Sequence, residues 1–148
     1  MENSLVVAQK IDICAPPSLV WEALTHAAAY KDWNPCWLIE ESPEQLTAGA
    51  QLKLRVALGT SNERVFEAEV LRAIAPTVLE WQGGEPGVFE GLHRFELYNH
   101  ELNQTRLVNS ESFSGEMAAD VLQMSRTVLE KEFSLFNEAL KTRAELMA

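Results

Sequence analysis

The residues best placed to do chemistry are His93 and Glu111. From Phe89 to Tyr98 the chain alternates with the period of two of a half-buried strand: Phe89, Gly91, His93, Phe95 and Leu97 on one side, Glu90, Arg94, Glu96 and Tyr98 on the other. If Phe89, Phe95 and Leu97 point inward, His93 points inward with them. Thr105 to Phe113 alternates less cleanly, but inward Leu107 and Phe113 carry Thr105, Asn109 and Glu111 to the same side. The outward set, Arg94, Glu96, Arg106 and Ser110, suits solvent. Only the short break from Asn99 to Asn103 separates the two runs, so His93 and Glu111 are expected as near neighbours on one wall. An imidazole facing a carboxylate is a plausible acid/base unit, its pKa raised by the carboxylate and lowered by desolvation. The same couple also serves as a buried polar pair that satisfies itself or holds a ligand or water. Both readings stand at this level.

A second polar anomaly lies near the C-terminus. From Met117 to about Leu146 the chain has no Gly or Pro, and its spacing predicts an amphipathic helix roughly 40 Å long at 1.5 Å per residue. A helical wheel gathers Met117, Ala118, Val121, Leu122, Met124, Val128, Leu129, Phe133, Leu135, Phe136, Ala139, Leu140 and Leu146 on one half. Gln123, Thr127, Glu130, Lys131, Ser134, Asn137, Glu138, Lys141 and Glu145 fall on the other. Ser125, Glu132 and Arg143 interrupt the apolar half. An unpaired carboxylate there costs several kcal/mol. Glu132 therefore contacts a ligand, pairs with an inward cation, or reaches solvent at the groove's edge. Arg143 lies in the last turns, where the helix dipole favours a cation.

Other signatures are missing. Three histidines in all, His26, His93 and His100, show no metal-ligand spacing, and His26 and His100 read as surface residues. Cys14 and Cys36 are too far apart for a ligand pair and read as thiols. No Gly-rich phosphate loop occurs, Gly83-Gly84 reading as a turn, and Gly-x-Ser-x-Gly is lacking. No metal or cofactor is expected. A formal net charge of −10 repels phosphate backbones and disfavours nucleic-acid partners. No apolar run approaches the roughly 20 residues that span a bilayer, and Met1 to Ser4 lead straight into a strand-like segment without a signal-type leader. A cytoplasmic protein of one domain, residues 1–148, is the expectation, with its oligomeric state open.

The elements that must position these residues follow in order. Leu5 to Ile13 reads as a strand, stopped by Ala15-Pro16-Pro17. A helix follows from about Pro17 to Ala28, because Pro is tolerated in a first turn and Val20, Trp21, Leu24, Ala27 and Ala28 recur at helical spacing. A turn or single helical turn ends before Pro35. Trp37 to Glu40 is a short strand. Four alternating runs come next, around Leu52–Leu58, Phe66–Val70, Leu79–Gln82 and Phe89–Tyr98, separated by turn signals that include Gly83 to Gly87. Thr105 to Phe113 is the last strand. Alternation on one side gives a sheet with one dry face, and the long helix is the only element large enough to cover it. Trp81, inward on its strand, fills core or meets ligand, and Trp33 is placed to pin the turn before Pro35 against the helix ends.

This order and its local residues resemble the START-like or Bet v 1-like superfamily, the polyketide cyclase/dehydrase and lipid transport group. The resemblance lies in the opening Ile11-Asp-Ile-Cys-Ala-Pro-Pro-Ser-Leu-Val-Trp-Glu-Ala-Leu24, in Trp33-Asn34-Pro35, and in Leu79-Glu-Trp81 with Phe89-Glu-Gly-Leu-His93-Arg-Phe95. Thr105-Arg-Leu107, Glu111-Ser-Phe113-Ser-Gly115 and Asn137-Glu-Ala-Leu-Lys141 complete it. It implies an α+β helix-grip fold: a curved antiparallel sheet of about six to seven strands wrapped around the C-terminal helix, with a short helix or two after the first strand. It further implies a cavity between sheet and helix for a small apolar or aromatic ligand, lipid- or polyketide-like. Trp81, Phe89, His93, Phe95, Glu111, Phe113, Ser125, Leu129 and Glu132 are the expected ligand contacts. The group also holds cyclase/dehydratase-type enzymes, for which His93 and Glu111 would be acid and base, and chaperone activators that bind a protein through the outer surface.

Overall fold

The computed structural model describes residues 5–41, 43 and 45–148. Strand β1 (Val6–Ile13) leads into helix α1 (Pro17–Thr25), a 3-10 turn (Ala27–Ala29) and a single-turn helix α2 (Tyr30–Trp33). Strands β2 (Trp37–Glu40), β3 (Gln51–Val56), β4 (Arg64–Ile74), β5 (Val78–Glu85), β6 (Phe89–Asn99) and β7 (Thr105–Ser114) precede helix α3 (Ala118–Met147). The strands form one seven-stranded sheet in the order β1-β7-β6-β5-β4-β3-β2, antiparallel at every pairing. This is the helix-grip architecture: a curled sheet with a long helix laid along its inner face.

Three local expectations are corrected. Helix α1 ends at Thr25, not Ala28. His26 leaves the helical region (φ −86°, ψ 78°) and forms a backbone bridge with Gln45, so it is half-buried, not a surface residue. Gly83 and Gly84 are strand, not turn: Gly83 pairs with Gly91, Gly84 with Glu90 and Glu85 with Phe89. The hairpin closes two residues later, at Pro86-Gly87, where Gly87 supplies a φ of +79°.

The buried stripe of α3 is narrower than the wheel suggests and is rotated from it. Met124, at 86% exposure, and likewise Met117, Val128, Leu135 and Leu146 lie in solvent. Asn137, placed on the polar half, is 2% exposed. The side that meets the sheet runs through Ala118, Leu122, Phe133, Phe136, Leu140 and Ala144. It touches down at two places. Phe136, Leu140 and Ala144 join the main core with Ile13, Leu24, Tyr30 and Phe95. Ala118, Leu122 and Phe133 form a smaller cluster with Val7 and Phe113. Each large buried apolar side chain contributes about 1.5–3 kcal/mol, so both ends of the helix are held firmly. Interleaved with the smaller cluster, Val121, Ser125, Leu129 and Glu132 face open space.

An aromatic cluster joins α2, β2 and α3. Phe136 stacks on Trp37, ring centroids 5.0 Å apart, and Trp33 lies against Tyr30 and Phe136. Trp33 thus pins the α2 turn onto the body of α3. The Asn34 Oδ1 accepts the backbone N–H of Cys36 at 2.9 Å, which closes the turn ahead of β2. No helix among the described residues is long and apolar enough to cross a membrane.

Candidate functional site

Between α3 and the concave face of the sheet lies a cavity of about 410 Å³. Two glycines let neighbouring groups fold tightly against its floor. Ala68, Gly83, Gly91 and Phe113 stand opposite one another on β4, β5, β6 and β7, and the two glycines admit neighbours that a side chain would exclude. A Cβ on Gly83 would come within 2.7 Å of the Glu67 carbonyl oxygen and 2.9 Å of the Phe66 ring. One on Gly91 would strike the Glu111 carboxylate oxygen at 2.2 Å. Gly91 is therefore the notch into which Glu111 folds.

The next row is the polar wall. Trp81 pairs with His93, and His93 pairs with Glu111. All three line the cavity, as do Phe89 and Phe113, stacked on each other at 5.3 Å. From α3 come Ser125, Leu129 and Glu132. Phe95 is the exception among the expected contacts. It is fully buried behind the wall, its ring stacked 4.5 Å from that of His93, and acts as backing for the imidazole. Trp37 and Arg64 also line the space, although their sequence surroundings carry no sign of it. Gly91 was visible as a glycine in an inward register position, the one signal of a notch.

His93 is held from behind. Its Nε2 lies 2.6 Å from Asn109 Oδ1. Asn109 Nδ2 donates to Asn137 Oδ1 at 3.0 Å, and Asn137 Nδ2 donates to the Gln9 carbonyl at 3.3 Å. On the cavity side His93 Nδ1 is 3.7 Å from Glu111 Oε1, beyond a direct hydrogen bond but within reach of one bridging atom.

Burial governs the electrostatics. It lowers the His93 imidazole to about 4, against the hydrogen bond to Asn109, which raises it. Burial, followed by the nearby Glu132 charge, pushes the Glu111 carboxyl up to about 8. At neutral pH the couple is therefore a carboxylic acid facing a neutral imidazole, not an ion pair. Glu132 is also raised by burial, with the Arg64 charge pulling the other way. Of the three sequence readings of Glu132, the salt bridge is not met among the described residues: the side chain is half-buried in the cavity wall, and the Arg64 charge acts on it only through its field. Burial and then Glu132 lift the Cys36 thiol to about 11. Cys14 and Cys36 are both free.

The family model described as polyketide cyclase / dehydrase and lipid transport matches residues 4–145. The fold is shared with a protein of Rhodobacter sphaeroides at a TM-score of 0.77 and 18% identity, covering 100% of this chain and 97% of the other. The Zhui aromatase/cyclase of Streptomyces sp. R1128 matches at a TM-score of 0.72 and 20% identity, covering 95% and 93%. A START superfamily protein from Mycobacterium smegmatis matches at 0.72 and 16% identity, covering 97% and 99%. No curated protein matches the chain in sequence.

Proposed function

The chain belongs to the polyketide cyclase/dehydrase and lipid transport family, and on that premise we propose that it binds one small, largely apolar or aromatic molecule, lipid- or polyketide-like, between the sheet and α3. The observation that carries this reading is the cavity itself. About 410 Å³ lies within the range of small-molecule sites, and apolar walls with a few convergent polar groups are their usual composition. Trp81, Phe89, Phe113 and Leu129 supply apolar contact. His93, Glu111, Ser125 and Glu132 orient the ligand's polar groups. A fluorescent naphthalene or fatty-acid probe should bind at one per chain. Native mass spectrometry of the purified protein should find a carried-over small molecule. Absence of both would sink the reading.

The 3.7 Å separation of His93 and Glu111 supports a second reading, an acid/base enzyme of the cyclase/dehydratase type. One ligand atom fits between the two groups, and each is in its working state at neutral pH: acid Glu111, basic His93 Nδ1. An imidazole lowered to about 4 is, however, a weak base for work near pH 7, which ranks binding ahead of catalysis. Once a ligand is in hand, its recovery unchanged after long incubation with the protein would dismiss the enzyme reading.

A further inference from the structure

The buried chain His93–Asn109–Asn137–Gln9 has a direction. The Gln9 carbonyl can only accept, so Asn137 must turn its NH₂ toward it and its oxygen toward Asn109. That oxygen can only accept, so Asn109 turns its NH₂ toward Asn137. What is left for His93 is the Asn109 oxygen at 2.6 Å, which accepts from an N–H. Each step leaves one choice, and the last requires the proton on Nε2. Asn109 and Asn137 are both almost wholly buried, so water does not relieve either amide, and a flipped one would leave unsatisfied buried groups.

We propose that Asn137, acting through Asn109, is a positioning residue that holds His93 as the Nε2–H tautomer, so that Nδ1 offers a lone pair to the cavity beside Glu111 and the site selects a neutral hydroxyl. The ligand class rests on the binding reading above; the tautomer does not. With Nδ1 and Oε1 3.7 Å apart, one oxygen sits at roughly 2.8 Å from both. It donates to Nδ1 and accepts from the Glu111 acid. An alcohol, phenol or enol does both, whereas an ether or ketone has no proton for Nδ1. A carboxylate has none either, and brings its charge beside Glu132.

The tautomer is read in the ligand-free protein, carrying isotope-labelled histidine, by long-range proton–nitrogen correlation at pH 7. His93 is assigned by the signals lost in His93→Gln. The expected spectrum has a pyridine-type nitrogen at Nδ1 and a pyrrole-type nitrogen at Nε2; the reverse overturns the proposal without any variant. In Asn137→Leu, Asn109 is free to turn its NH₂ to Nε2, and the Nδ1 pyridine-type signal should be lost. Asn137→Asp keeps an oxygen for Asn109 and should retain it. If Asn137 only ties helix to sheet, the leucine variant loses stability and leaves the tautomer unchanged, which refutes its positioning role. Separately, naphthol should bind about tenfold more tightly than its methyl ether, with naphthoate weaker than naphthol. Equal affinities would overturn the hydroxyl selection. If none of the three binds, the binding reading fails along with the ligand class, while the tautomer measurement still decides the role of Asn137.

Discussion

Replacing Glu111 with glutamine isolates the cost of keeping a carboxyl inside the cavity. The native carboxyl is held near 8 by burial and then by Glu132, against an ordinary value of 4.5. Because the folded state keeps a proton that the unfolded chain has released, stability present in full below about pH 4.5 is lost as pH rises toward 8. His93 works in the opposite sense. Lowered from 6.5 to about 4, it stays neutral in the fold while the unfolded chain takes up a proton, so it costs stability as pH falls below 6.5. Between pH 4.5 and 6.5 the two slopes oppose each other and largely cancel. From 6.5 to 8 only Glu111 acts. At about 1.36 kcal/mol per pH unit, tapering near the native pKa, that window removes roughly 1.5–2 kcal/mol from the wild type. Glu111→Gln should lack this loss, so urea unfolding at pH 6.5 and 8.0 should show the variant gaining by that amount relative to wild type. Parallel stabilities across the window would refute the inference that Glu111 is a buried acid, and with it the acid/imidazole character of the polar wall.

Three further outcomes follow from the same geometry. Gly91→Ala puts a Cβ where the Glu111 carboxylate now lies, 2.2 Å away; the carboxyl must swing out, at a cost of about 1–3 kcal/mol in urea unfolding and with weaker binding of naphthol. Leu129→Trp, on the cavity side of α3, should fill the space and abolish binding of the naphthalene probe while the protein still unfolds cooperatively; undiminished binding would mean that the probe sits elsewhere. Met124→Glu, at a position 86% exposed, should change stability by no more than about 0.5 kcal/mol, whereas a buried stripe as broad as the helical wheel implies would make it severely destabilising.

Strand alternation was legible because it is local. A period of two fixes which side chains share a face, so His93 goes with Phe89 and Phe95, and Glu111 with Phe113, before any pairing is known. The break at Ala15-Pro16-Pro17 between β1 and α1 was legible for the same reason. The family's order of elements then implied the helix-grip fold. What the one-dimensional pattern could not carry was distance between elements. A helical wheel records angles but not where the neighbouring surface ends, so it placed Met124 inside and Asn137 outside, the reverse of the packed helix. Gly83 read as a turn residue because its value is spatial: it lies opposite Gly91 only once β5 and β6 are in register. Phe95 shares a face with His93, yet one row further along the strand it meets Phe136 instead of open space. The protonation of Glu111 and the direction of the Asn109–Asn137 chain are likewise properties of burial and three-dimensional neighbours. Alternation determined that a histidine and a carboxyl share the inner wall; only the tertiary structure, by laying α3 over that wall with Ser125, Leu129 and Glu132 across the space from it, decided that the wall faces a cavity.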